Sequence, residues 1–176
     1  FPAGLQSVMY GLSNVIIQSG INSLGTNTVA AWASYSKIDS LFWMMVNAFG
    51  IAVTTFVGQN YGAGKEERVR GGVKSCMAMT IGTSLAMSVV IYNWGIYGYQ
   101  LFTTDQEVIR IGTAMMRYLS PVYVTYVSIE ILSGALRGVG DSWIPMVLCL
   151  FGVCVLRVGW ILFAVPLKRD IYTIMF

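Results

Sequence analysis

The sequence contains no histidine and only three cysteines. Without His there is no His-ligated zinc site, no Ser-His-Asp triad and no Cys-His dyad. Cys76, Cys149 and Cys154 lie inside apolar runs without C-x-x-C spacing, so they read as small core hydrophobes. Charge is equally scarce. Only 11 % of the 176 residues are Asp, Glu, Lys or Arg, against about 25 % in soluble domains. That is too little to coat a water-facing surface. The net charge of +3 includes no block of like charges, which argues against nucleic acid as a partner. The chain opens at Phe1 without a Met or a charged leader region. No signal peptide is expected, and the sequence reads as a piece of a longer polypeptide.

Apolar residues are abundant instead, at 56 % of the chain with 13 % aromatic. Mean hydropathy is +0.66. This composition excludes disorder and fits a lipid bilayer as solvent. Five long apolar stretches cover approximately 3–24, 29–57, 73–99, 108–133 and 143–165, with 171–176 as the start of a sixth. Each of the five meets the roughly 20 residues a helical span requires. They are too long for barrel strands and lack period-2 alternation. The fold expected is an all-α membrane protein, a polytopic transmembrane helix bundle with antiparallel neighbours.

Short polar links punctuate the stretches. Leu24-Gly25-Thr26-Asn27-Thr28 forms one turn, and Gly62-Ala63-Gly64 breaks the chain before a charged segment. Thr104-Asp105-Gln106-Glu107 reads as a capping box for the fourth span. Asp141 or Ser142 caps the fifth, with Pro145 in its first turn. Lys65, Arg68, Arg70, Lys74 and Arg137 lie on one side, against Lys168 and Arg169 on the other. That bias makes the Lys65 and Arg137 links cytoplasmic.

Helical projection gathers polar residues into stripes. Ser7, Gly11, Asn14, Gln18 and Asn22 fall within about 80° on the first span. Ser36, Asp39, Ser40, Asn47, Gly50 and Thr54 fall within about 100° on the second, with Trp32 and Trp43. Facing lipid, such groups would cost several kcal/mol each (about 2–7). They face other helices as packing contacts, or a wet cavity lined by Asn14, Gln18, Trp43 and Asn47.

Intramembrane charge is the sharpest signal. Asp39 lies about 15 Å into the second span at 1.5 Å per residue. Glu130 shares a face of the fourth with Tyr123, Tyr126 and Ser133, and Pro121 is expected to kink that helix. Arg157 lies inside the fifth span. Buried charges face protein or water, either as functional groups or as ion pairs such as Asp39 with Arg157. Glu130 is the stronger candidate, because oxygen donors on its face suit a sodium ion and burial suits a proton carrier. Gly58-Gln59-Asn60-Tyr61-Gly62-Ala63-Gly64-Lys65 is one residue too long for a phosphate loop, and Glu66 replaces the required Ser or Thr. No cofactor pattern is present and no enzymatic chemistry is expected.

The segment from Gly58 to Arg68, and Ala135-Leu136-Arg137-Gly138-Val139-Gly140-Asp141-Ser142 with Pro145, resemble the multidrug and toxic compound extrusion (MATE) family. The opening Pro2-Ala3-Gly4-Leu5-Gln6-Ser7 and Asn22-Ser23-Leu24-Gly25 with Ala30-Ala31 fit it too. The resemblance covers essentially the whole chain. It implies twelve helices in two six-helix lobes around a cavity, with this segment in the C-terminal lobe and the N-terminal six-helix lobe as its partner. It implies export of cationic or amphipathic compounds from the cell, across the plasma or inner membrane, in exchange for sodium ions or protons. Many members carry a carboxylate in this lobe's first helix, where this chain has Tyr10, Asn14 and Gln18; some carry an Asp where it has Tyr126. The carboxylates available here are Asp39 and Glu130. A flippase for a lipid-linked saccharide or phosphate would want a basic cavity instead, and a membrane scaffold would pair every charge.

Overall fold

Two glycine turns of the same construction end the two longest apolar runs that head toward the basic links. Gly64, with φ 69°, follows the first. There Lys65 N–H returns to the Asn60 carbonyl at 2.9 Å and Gly64 N–H to Tyr61 at 3.0 Å. Gly140, with φ 91°, follows the second. There Asp141 N–H returns to Leu136 at 3.0 Å and Gly140 N–H to Arg137 at 3.1 Å. A residue in the left-handed region lets the chain fold back and satisfy the last carbonyls of the helix, and glycine adopts it without a Cβ penalty.

The computed structural model describes residues 2–23, 25–120 and 123–152. Its elements are α1 (Pro2–Asn22), α2 (Thr26–Gly62), α3 (Glu66–Gln100), α4 (Gln106–Leu119), α5 (Tyr123–Gly138) and α6 (Trp143–Cys149). The described residues contain no strand. At 37 and 35 residues, α2 and α3 are about 55 and 52 Å long. Both are long and apolar enough to cross a membrane. The α4–α5 pair, bent by 54°, makes a third crossing if taken as one broken span. The chain is a multi-pass membrane protein. Pro121, the expected cause of the kink, lies outside the described residues, as do Arg157 and most of the stretches expected at 143–165 and 171–176. α1 spans 21 residues, but its Ser, Asn and Gln stripe keeps it out of the strongly apolar set.

The core lies between α2, α3 and the α4–α5 pair. Phe42, Val46, Val53 and Val57 of α2 are buried with Val127 and Ile131 of α5 and Ile91 and Tyr99 of α3. Small residues bring α2 and α5 together. Thr54 Oγ1 donates to the Gly134 carbonyl at 2.9 Å. A Cβ on Gly138 would stand 2.7 Å from the Thr54 carbonyl and 2.8 Å from Val57 Cβ. Such close approach is typical of helix contacts in membranes, where packing and interhelical hydrogen bonds replace the hydrophobic effect. At the α4–α5 break, the buried Ser88 hydroxyl of α3 donates to the Ser120 carbonyl at 2.9 Å. It thereby satisfies an acceptor beside the interrupted helix.

The caps differ in detail from expectation. Thr104 does not open α4. Asp105 is the N-cap, and its carboxylate accepts from Glu107 N at 2.9 Å and Val108 N at 3.5 Å. Thr103 in turn accepts from Asp105 N at 3.2 Å. The Asp105 carboxylate, one residue later, captures the free amides of the first turn. At α6, Ser142 holds the cap position without a side-chain bond. Asp141 Oδ1 serves the amides of Trp143 and Ile144 at 3.0 and 3.2 Å.

Candidate functional site

α2 and α5 run side by side in the same direction, so residues of like height face one another. At the end of this seam where α5 begins stands Asp39, half-buried. Its two oxygens are held by neutral donors. Trp43 Nε1, one turn along α2, donates to Oδ2 at 2.7 Å. The Tyr123 hydroxyl at the start of α5 donates to Oδ1 at 2.5 Å. Tyr123 is fixed from two further sides: its ring stacks on Phe42 at 4.1 Å, and its hydroxyl lies 2.8 Å from that of Tyr35. Among the described residues, no cation pairs with Asp39. Lys37 is exposed and lies over the Phe102 ring at 5.1 Å. The expected alternative partner, Arg157, is outside the described residues.

Two turns further along α5 is Glu130. Its Oε1 takes an ion pair from Arg137 at 2.7 Å. Its Oε2 accepts from Tyr126 at the long distance of 3.5 Å. Tyr126 links the two carboxylates: its ring meets Trp43 edge-on at 4.6 Å, and its hydroxyl lies 3.5 Å from that of Tyr10 on α1. Glu130 rests against Gly50 of α2, where a Cβ would stand 3.2 Å from Oε1. A groove of about 310 Å³ opens here, lined by Asn47, Gly50, Ile51, Thr54, Thr55, Glu130 and Arg137.

The expected cluster around Glu130 is therefore divided. Tyr123 belongs to Asp39, because seven residues along a helix place it about 10 Å from Glu130. Ser133 makes no hydrogen bond to either carboxylate among the described residues. Asn47 lines the groove. Asn14 and Gln18 stand exposed on α1, Gln18 donating to Asn22 at 2.9 Å. Sequence reasoning missed Tyr35 and the pairing role of Arg137. Both carried a signal: Tyr35 is four residues before Asp39, and Arg137 is seven after Glu130, spacings that share a helical face. No group of three or more Cys, Asp or Glu residues forms a metal cluster among the described residues.

Residues 2–161 match the MatE family. The chain belongs to the MatE family. A probable multidrug resistance protein, YpnP, of Bacillus subtilis is 29 % identical over 157 residues, 89 % of this chain and 35 % of that protein. Multidrug and toxin extrusion protein 2 of Oryctolagus cuniculus is 26 % identical, with 82 % of this chain and 23 % of that protein covered. A MOP superfamily transporter of Pyrococcus furiosus superposes with a TM-score of 0.90 at 15 % identity, over 98 % of this chain and 38 % of that one. The MatE chain thus spans about a third of the length of the curated relatives it matches, such as the 35 % of YpnP. The structural likeness shows that the chain shares the fold of that part of the Pyrococcus furiosus protein.

Proposed function

We propose that this MatE chain is the C-terminal lobe of a secondary antiporter that exports cationic or amphipathic organic compounds across the cell membrane. The exchange partner is a proton or a sodium ion, and the missing N-terminal six-helix lobe supplies the other cavity wall. The observation that carries the reading is Asp39: a carboxylate far from either end of a long apolar helix, held by Trp43 and Tyr123 and by no cation among the described residues. A carboxylate without a counter-ion can pair with an incoming cation. Binding a proton or sodium cancels its charge and removes the partner of an organic cation, so the two ligands compete. Trp43 and Tyr126 add aromatic faces, each worth about 0.5–2 kcal/mol to a cation. That competition shifts the inward/outward equilibrium by the difference in affinity between the two states. Asp39 ranks ahead of Glu130 in this reading, since Glu130 already has Arg137 as counter-ion.

The test is drug efflux from proteoliposomes holding the complete transporter, driven separately by a proton and a sodium gradient. Asp39→Asn keeps shape and hydrogen bonding but cannot carry charge. It should abolish export under whichever gradient drives the wild type. Wild-type rates in Asp39→Asn would remove Asp39 from the coupling mechanism.

A further inference from the structure

The groove between α2 and α5 holds charge of both signs. Glu130 and Arg137 are two turns apart on α5, so the arginine lies back along the helix to reach the carboxylate. Their side chains are 18 % and 29 % exposed, so both open to the groove and neither is sealed. Thr54 and Thr55 spend their hydroxyls on backbone carbonyls. The exposed Asn47 amide and the exposed Ile51 side chain complete the wall.

A simple cation entering this groove displaces Arg137 from Glu130 and leaves the guanidinium without its counter-ion. A simple anion does the reverse to Glu130. Each exchange replaces one ion pair by another and strands a partly buried charge, which is costly. A zwitterion differs. Its ammonium takes Glu130 while its carboxylate takes Arg137, so one ion pair becomes two and no charge is stranded. The planar guanidinium fork suits a carboxylate in particular. A volume of about 310 Å³ is at the small end of organic ligand sites.

We infer that the α2–α5 groove is a binding site for a small zwitterionic organic compound, its ammonium on Glu130 and its carboxylate on Arg137. The inference rests on the transporter reading and deepens it by naming the substrate class of this groove. Asp39 lies outside the groove lining and serves a separate role.

Equilibrium binding to the purified complete transporter tests this without any ion gradient. Three fluorescent probes of one skeleton suffice: Nε-dansyl-lysine, its methyl ester and its Nα-acetyl derivative, which are zwitterion, cation and anion. The zwitterion should bind about tenfold more tightly than either relative. Arg137→Gln should erase that advantage over the ester. Glu130→Gln should erase it over the acetyl form. Arg137→Lys keeps the charge but loses the fork, and should retain only part of the preference. If the neutral variants fail to fold, the wild-type probe series decides alone. Equal binding of all three probes, or tightest binding of the ester or the acetyl form, overturns the inference. Those outcomes leave the transporter reading standing, because export through Asp39 is measured separately under a gradient.

Discussion

The Trp43 indole N–H lies 2.7 Å from the Asp39 carboxylate one turn before it, and Tyr123 of α5 donates to the other oxygen. The anion is thus held from its own helix and from the neighbouring one. Hydrogen bonds to charged groups contribute about 1.5–3 kcal/mol when buried, less when half exposed. Trp43→Phe keeps an aromatic ring against Tyr126 but loses the N–H together with part of the ring system. Tyr123→Phe keeps the stack on Phe42 and loses only the hydroxyl. Each should slow gradient-driven efflux several-fold at matched expression, against complete loss in Asp39→Asn. Unchanged initial rates in both would show that the donors do not set the state of Asp39.

The basic links give a second expectation. Lys65, Arg68, Arg70 and Lys74 surround the α2–α3 turn and are all exposed, and Arg137 ends α5 beside that same end of α2. A Cys at Glu67 should react with an impermeant maleimide only after permeabilisation, and one at Asn27 should react in intact cells. The reverse labelling pattern would invert the orientation.

At Gly134 the α2–α5 seam has no room for a larger side chain. A Cβ on Gly134 would meet Val53 Cγ1 at 2.8 Å and the Gly50 carbonyl at 3.0 Å. Gly134→Val must therefore push α5 away from α2, at a cost of about 1–3 kcal/mol by overpacking. It would also break the Thr54 bond to the Gly134 carbonyl. Gly82→Val is the control, because its Cβ meets nothing within 4 Å. Thermal unfolding in detergent should show a lower midpoint for Gly134→Val than for Gly82→Val, and equal midpoints would contradict this packing.

The helical architecture was legible in the sequence because apolar runs end at glycine turns with a physical task, Gly25, Gly64 and Gly140. Gly64 and Gly140 stood out in the two motifs that resembled a transporter family, and both prove to be left-handed caps. Asp39 and Glu130 were legible because charge in an apolar run is conspicuous. Their partners were not. Helical projection puts Tyr123 and Glu130 on one face, yet says nothing of the two turns of height that separate them. That height sends Tyr123 to Asp39 and leaves Glu130 to Arg137. In the sequence Arg137 carries only topology and a motif, since its reach back along α5 depends on a side-chain direction that spacing alone does not give.

The start of α4 separates two capping schemes that the sequence alone leaves alike. Thr104-Asp105-Gln106-Glu107 matches the Thr-x-x-Glu box, in which Thr104 would cap and Glu107 would reach back. In the structure Asp105 accepts from the Glu107 and Val108 amides instead. Glu107 turns away to pair with Arg110 at 2.7 Å on the exposed surface. An Asp cap also places negative charge at the positive end of the helix dipole. Replacing a cap by Ala costs about 0.5–2 kcal/mol, while removing an exposed threonine with no such bond costs little, within about 0.5 kcal/mol. Asp105→Ala should therefore lower the unfolding midpoint, and Thr104→Ala should leave it near the wild type. Glu107→Gln should also be nearly silent, because an exposed ion pair contributes little to stability. Amide exchange at Glu107 and Val108 gives the local readout, and it should quicken in Asp105→Ala alone. Faster exchange in Thr104→Ala with none in Asp105→Ala would restore the box and move the helix start back by one residue.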